Sequence, residues 1–106
     1  MPWIKTLEAA TVEADEIASA QAGKNWVVLY AAEGQFYASA VLCSHGQASL
    51  ADGYLEDFLI ECPLHQGTFD IRTGEPVDPP CTEPVRTYPT KVEDGFIYVE
   101  VEDNEA

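Results

Sequence analysis

The sequence predicts an all-β protein made of antiparallel strands around one small core. Short runs of β-branched and aromatic residues alternate with turn residues, and the Asp94-Gly95 dipeptide favours a tight hairpin. The chain has 106 residues, of which 46% are hydrophobic, enough for a single core. We therefore expect one domain over residues 1–106, with an antiparallel β-sandwich as its scaffold.

The first part of the scaffold is predicted to contain a short helix followed by a hairpin. Residues 12–21 are rich in Ala and Glu, and the propensities of these residues favour a helix. Residues 26–30 and 35–39 contain the β-branched and aromatic residues typical of strands. The Glu33-Gly34 pair between them offers a turn, so these two runs are predicted to pair as a hairpin.

The middle of the chain, residues 42–81, holds every cysteine and every histidine of the protein. Brief strands are predicted within it at residues 58–61 and 68–71, where apolar and β-branched residues recur. This concentration of possible metal ligands predicts a metal-binding insert carried on the β scaffold.

A second hairpin is predicted to end the fold. Residues 86–93 and 96–101 flank the Asp94-Gly95 turn, and both contain residues that prefer strands. Residues 100–106 are mostly acidic, so the end of the chain is expected to fray.

The charge of the chain argues against two classes of partner. The sequence has 19 acidic and 5 basic side chains, which give a formal net charge of −14 at pH 7. Such a surface repels nucleic acids and anionic membranes. A protein surface rich in Lys and Arg would instead be attracted, and its encounter rate should fall as salt is added. High like charge also favours a monomer.

Cysteine usage and the N-terminal sequence indicate a soluble, cytoplasmic protein. Cys43, Cys62 and Cys81 leave one cysteine over if two are paired, which is unlike the disulfide framework of a small secreted protein. Residues 1–10 lack a basic region followed by an apolar run, and no segment has the length of a membrane-spanning helix. We expect Cys81 to act as a small buried hydrophobic residue.

Each of the two histidines follows a cysteine at a short distance. Cys43 and His45 form one pair, Cys62 and His65 form the other, and residues 46–61 lie between them. Zinc motifs typically group like ligands, as Cys-x-x-Cys and then His-x-x-x-His, whereas each segment here mixes the two types. This mixture favours an asymmetric iron–sulfur cluster, with two cysteines on one iron and two histidines on the other.

Two other interpretations of these four residues remain open at this point. A structural zinc ion bound by two thiolates and two imidazoles would make the chain a zinc-stabilised interaction module without a redox role. Alternatively, the spacing is a coincidence between core cysteines and surface histidines, although such a match would have to involve both histidines of the chain.

The pattern Cys43-x-His45 followed by Cys62-x-x-His65 resembles the Rieske [2Fe-2S] motif. The flanking sequence agrees, with a glycine after His45, the run Glu-Cys-Pro-Leu-His-Gln-Gly at residues 61–67, and Phe69-Asp70. The resemblance spans essentially the whole chain and is strongest to the small ferredoxins of bacterial aromatic-ring-hydroxylating dioxygenases. It implies the Rieske fold, in which two ligand loops form a small cluster-binding subdomain.

The resemblance also implies one [2Fe-2S] cluster per chain and a role for each ligand. Cys43 and Cys62 would bind the buried iron, whereas His45 and His65 would bind the outer iron with their far ring nitrogens facing solvent. Electrons would enter and leave through those imidazoles.

An electron carrier, and not an enzyme, is the function that the resemblance implies. The chain would take single electrons from an NAD(P)H-dependent flavin ferredoxin reductase and pass them to a terminal oxygenase. It cannot itself be the oxygenase, because the mononuclear iron site of such an enzyme needs two more histidines. The chain has two histidines in all, and both are assigned to the cluster. The alternative within redox biology is the small Rieske-type subunit of an assimilatory nitrite reductase, whose members often lack some of the ligands.

Differences from the quinol-oxidising members of the family predict a low reduction potential. Those proteins carry an additional cysteine in each ligand loop, where this chain has Ala48 and Leu64, and hydroxyl groups near the cluster, where it has Gly67 and Phe69. Hydrogen bonds to the cluster sulfurs favour the reduced state, so fewer donors lower the potential. We expect a value near the low end of the Rieske range, about −150 mV.

Overall fold

The computed structural model describes residues 2–41, 49–63, 67–78 and 84–102. Within these ranges the chain forms eleven β-strands and two short 3-10 helices, with no α-helix, which confirms the predicted all-β fold class. The strands are arranged in three antiparallel sheets. In the described part of the chain no helix combines the length and the apolar character needed to cross a membrane.

The first sheet has the strand order β1-β11-β10, with bounds Trp3–Glu8 for β1, Thr90–Glu93 for β10 and Phe96–Glu100 for β11. The second has the order β2-β3-β4-β9, with bounds Ile17–Ala22, Asn25–Ala32, Gln35–Ala40 and Thr87–Tyr88. The third has the order β5-β6-β7-β8, with bounds Tyr54–Glu56, Leu59–Glu61, Thr68–Asp70 and Pro76–Asp78.

Strand β3 is the centre of the molecule because both of its faces are buried. One face, with Val27 and Leu29, packs against the first sheet around Ile97 and Val99. The opposite face contributes to a second cluster that includes residues of the third sheet. We call this cluster the site core; its buried members are Val28, Tyr30, Ala32, Leu50, Ile60, Cys62, Phe69, Ile71 and Val85. The second sheet is therefore the middle layer between the other two.

Both predicted turns occur, but one predicted strand is wrong. The hairpin of β3 and β4 turns at Glu33-Gly34, and that of β10 and β11 turns at Asp94-Gly95, with positive φ at all four residues. Residues 86–93 do not form one strand: β9 pairs with β4, whereas β10 belongs to the first sheet. Pro89 separates them, and because proline has no N–H the ladder cannot continue through it.

The predicted helix over residues 12–21 is also wrong. Its second half, residues 17–21, lies in β2, which pairs with β3 along its whole length. Ala20 and Ala22 are buried whereas Ser19 and Gln21 are exposed, so the segment has the period of two typical of a strand. Burial of the small side chains against the rest of the molecule outweighs the helix propensity of alanine.

Candidate metal centre

Cys62 is the predicted ligand that the structure describes, and it lies immediately after strand β6. Its side chain is fully buried in the site core and forms no disulfide. Its backbone N–H donates a hydrogen bond of 2.8 Å to the carbonyl of Gly67, the residue immediately before β7. The segment that contains the second Cys-His pair is therefore closed at its base by a backbone hydrogen bond.

The segment that contains the first Cys-His pair is closed in the same way. Strand β4 ends at Ala40, and the next carbonyl, that of Val41, accepts a 2.8 Å hydrogen bond from the N–H of Leu50. The Ser49 hydroxyl accepts a hydrogen bond from the Ala51 N–H and caps the short 3-10 helix that follows. These contacts fix both ends of the segment to the scaffold.

The two closed bases meet in the site core. Leu50 and Cys62 are both fully buried members of that cluster, and Val41 packs against it. Gly53 brings the chain so close to β6 that a Cβ at this position would overlap the carbonyl oxygen of Glu61. The residue before Cys62 thus contacts the chain that follows the first Cys-His segment, so the end of the first segment lies beside the start of the second.

A third segment is attached at the same core. The N–H of buried Val85 donates a 2.9 Å hydrogen bond to the Gly74 carbonyl, and the Gly74 N–H donates one of 2.7 Å to the Asp70 carbonyl. Gly74 has a φ of +82°, and a Cβ there would overlap the Val85 carbonyl oxygen, so only glycine fits this junction. The Pro79-Pro80 pair and Cys81 lie within this segment, outside the described residues.

The remaining predicted ligands, Cys43, His45 and His65, also lie outside the described residues, so their role stays a prediction. The geometry of the described residues nevertheless fits a Rieske [2Fe-2S] cluster. A Rieske cluster needs cysteine thiolates held away from water on two neighbouring segments. Cys62 provides a buried, unbridged sulfur, and the bases of both Cys-His segments lie in one cluster.

Arg72, which follows strand β7 of the third sheet, is held in an ion pair. The Arg72 guanidinium donates to both carboxylate oxygens of Asp70, at 3.0 and 2.7 Å, and lies over the Phe58 ring. These hydrogen bonds hold the pKa of the Asp70 carboxyl below its usual range. The charge of Arg72 is thus largely balanced by Asp70 at close range.

A buried hydrogen-bonded pair beneath the first Cys-His segment was missed at the sequence level. The Tyr30 hydroxyl lies 2.7 Å from the Ser39 Oγ, which donates to the Ala40 carbonyl at 2.9 Å. Because the single serine proton is used there, Tyr30 is the donor in the first bond. The Glu33-Gly34 turn fixes the register in which Val28 faces Ser39, so Tyr30 and Ser39 are diagonal neighbours that this register could have indicated.

Comparison with known proteins places these observations in a family. The Rieske [2Fe-2S] domain matches residues 2–89. The anthranilate 1,2-dioxygenase ferredoxin subunit of Burkholderia cepacia is 48% identical over 87 residues, which cover 82% of this chain and 81% of that protein.

Solved structures agree with this match. The ferredoxin of carbazole 1,9a-dioxygenase from Nocardioides aromaticivorans has a TM-score of 0.91 at 31% identity, with 96% of this chain and 100% of that chain covered. A chain in a complex of reduced oxygenase and oxidized ferredoxin in carbazole 1,9a-dioxygenase has a TM-score of 0.85 at 35% identity, with 94% and 97% covered. The chain therefore belongs to the Rieske [2Fe-2S] domain family, where it groups with the ferredoxins of aromatic dioxygenase systems.

Proposed function

We propose that this chain is a cytoplasmic electron-transfer ferredoxin that carries single electrons from a flavin-dependent, NAD(P)H-oxidising reductase to the terminal oxygenase of an aromatic-ring dioxygenase system. The single domain, residues 1–106, would act as a monomer with one [2Fe-2S] cluster. One observation carries the proposal. Two neighbouring segments, each with one Cys-His pair, are closed by backbone hydrogen bonds at a core that contains the buried thiol of Cys62.

The proposed ligands are Cys43, His45, Cys62 and His65. When bound, a Rieske cluster accepts and returns one electron. The protein would exclude water from the cysteine side, because Cys62 shares a fully buried cluster with Ile60 and Phe69. The backbone hydrogen bonds at the bases of the two segments would limit their movement, which keeps the structural change on electron transfer small.

Two features of related proteins support the proposed partners. The related chain from carbazole 1,9a-dioxygenase occurs in a complex of oxygenase and ferredoxin. The relative from Burkholderia cepacia is the ferredoxin subunit of anthranilate 1,2-dioxygenase. These relatives favour a dioxygenase system over the alternative of a nitrite reductase subunit. The strong net negative charge of this chain would favour encounter with basic surfaces on its partners.

The ligand assignment is tested by two matched substitutions, Cys62→Ser and Cys81→Ser. We expect Cys62→Ser to lose iron, inorganic sulfide and the paramagnetic resonance signal of the reduced protein, because metal binding and folding of this site are coupled. Cys81→Ser should keep all three. A colourless wild-type protein that contains zinc would contradict the cluster, and a bleached Cys81→Ser protein would contradict the proposed ligand set.

The electron-transfer role is tested by reconstitution with a purified flavin-dependent ferredoxin reductase and the terminal oxygenase of an aromatic-ring dioxygenase system. We expect NADH oxidation and hydroxylation of an aromatic substrate to require the ferredoxin, and the Cys62→Ser protein to support neither. Full activity of the reductase and oxygenase without the ferredoxin would contradict the proposal.

A further inference from the structure

The outer face of the third sheet is exposed or half-buried in the described part of the chain, and it lies beside the candidate metal centre. Leu55, Ile60 and Phe69 point from this sheet into or against the site core. The neighbouring residues of the same strands point the other way and line a shallow depression of about 380 Å³. Its lining residues are Tyr54, Glu56, Leu59, Glu61 and Thr68.

The depression carries negative charge that no Lys or Arg of the described residues balances by an ion pair. Glu56 and Glu61 form no ion pair with any residue in the described ranges. The lysines and arginines of the chain are at positions 5, 24, 72, 86 and 91, and Arg72, which follows strand β7, is bound to both oxygens of Asp70. A cation that enters the depression would therefore meet two carboxylates that no ion pair within the described part of the chain occupies.

The same depression exposes apolar surface that suits a long basic side chain. Tyr54 is 69% exposed, the largest exposed fraction among the large hydrophobic residues of the described ranges, and Leu59 is partly exposed beside it. Aromatic rings attract Arg and Lys through cation–π contact, and the aliphatic part of either side chain packs on apolar groups. A site with an exposed ring and two carboxylates thus complements a protruding arginine or lysine.

The position of the depression connects it to electron transfer. In the sheet register Tyr54 faces Glu61, and Glu61 faces Thr68, so these residues form one row across three strands. The hydrogen bond between Cys62 and Gly67 closes the second Cys-His segment. Glu61 directly precedes Cys62, and Thr68 directly follows Gly67. A partner bound at this row would lie immediately beside that segment.

We propose that the depression formed by Tyr54, Glu56, Leu59, Glu61 and Thr68 is a docking site for an arginine or lysine side chain on the surface of a protein redox partner. This inference rests on the proposed electron-transfer function and adds to it a lateral contact that orients the partner. The carboxylates of Glu56 and Glu61 bind the cation, and Tyr54 with Leu59 packs against its aliphatic part. Exposed charge pairs of this kind act mainly on the rate of association.

The test compares two double variants with the same change in net charge. Glu56→Gln with Glu61→Gln neutralises the depression, whereas Glu13→Gln with Glu33→Gln neutralises two exposed carboxylates before β2 and at the turn of the β3–β4 hairpin. Each pair changes the net charge by the same amount, so general electrostatic attraction is matched. Stopped-flow mixing measures the second-order rate constants for reduction by the reductase and for oxidation by the terminal oxygenase.

We expect the depression variant to lower the rate constant with at least one partner about three- to ten-fold at low ionic strength, and the effect to vanish at high salt. The control pair should lower it much less. Tyr54→Ser, which keeps both carboxylates, should weaken binding to the same partner at all salt concentrations.

Equal rate constants for the two double variants with both partners would overturn the docking site while leaving the proposed function intact. A wild-type protein with an intact cluster that exchanges electrons with neither partner would overturn the proposed function and this inference with it. The visible spectrum of each variant reports whether its cluster and fold are preserved.

Discussion

At the scale of single residues, Tyr30 shows how a buried polar group is accommodated beneath the site. It is fully buried, and its hydroxyl donates to Ser39, a buried polar residue near the end of β4. The Ser39 hydroxyl in turn donates a hydrogen bond to the Ala40 carbonyl. The next carbonyl, that of Val41, accepts the hydrogen bond that closes the first Cys-His segment. Buried polar groups are tolerated when they are hydrogen-bonded in this way.

The change Tyr30→Phe should destabilise the protein by about 1 kcal/mol, because Ser39 loses the hydrogen bond that it accepts in a buried position. Urea unfolding of the cluster-containing protein measures this difference. The matched control is Tyr37→Phe, since the Tyr37 hydroxyl is on the exposed side and its contact with Gln35 is 3.5 Å long. Equal losses in the two variants would contradict a special role for the Tyr30 hydroxyl.

Stability at alkaline pH should also depend on Tyr30. Burial raises the pKa of its phenol, and the hydrogen bond to Ser39 lowers it by less. Because the folded-state pKa is raised, the contribution to stability is complete below about pH 10, the pKa of an unfolded tyrosine, and is lost as pH rises above it. The advantage of the wild type over Tyr30→Phe should therefore shrink above about pH 10. Urea unfolding over this range measures it, and a constant difference would contradict the expectation.

At the scale of elements, the close contact of Gly53 with strand β6 joins the two Cys-His segments. The 3-10 helix Leu50–Asp52 ends at Gly53, which lies against the Glu61 carbonyl with no room for a side chain. Glu61 precedes Cys62, so displacement of this strand would move the buried thiol. We therefore expect a local change in one segment to be transmitted to the other through this contact.

The change Gly53→Ala should destabilise the protein by about 2 kcal/mol and alter the visible circular dichroism of the cluster, because the new methyl group overlaps backbone that cannot rotate away. Gly34→Ala is the control: Gly34 has a φ of +77° and no atoms near its Cβ position, so about 1 kcal/mol of backbone strain is expected without a spectral change. An unchanged spectrum in Gly53→Ala would show that the contact does not position the site.

At the scale of the whole molecule, charge and composition both favour a low reduction potential. The net charge of −14 opposes the addition of an electron to the cluster. Gly67 offers no side chain, and Phe69, which shares the site core with Cys62, has no hydroxyl to donate to a cluster sulfur. Neither position can stabilise the reduced state by a side-chain hydrogen bond.

We expect a reduction potential of about −150 mV, near the low end of the Rieske range. Protein-film voltammetry measures it directly. Added salt should shift the value upward, because screening weakens the repulsion between the acidic side chains and the incoming electron. A potential above zero at any ionic strength would contradict the expectation.

Prediction from the sequence succeeded where a feature depends on neighbouring residues. The turns at Glu33-Gly34 and Asp94-Gly95 depend on residues that accept positive φ, and both hairpins occur. It failed where distant contacts decide the outcome. The segment before β3 became a strand because its alanines are buried against other elements, and the strand predicted over residues 86–93 divided between two sheets at Pro89.

By itself, the sequence determined the all-β class, the two hairpins, the net charge and the spacing of the two Cys-His pairs, since these are properties of residue types and short separations. Only the tertiary structure decided that the bases of the two pairs share one core, that Gly53 lies against Glu61, and that Tyr54 remains exposed beside two carboxylates. These features depend on which strands pair and which faces are buried, and that choice is made by the free energy of packing the whole chain.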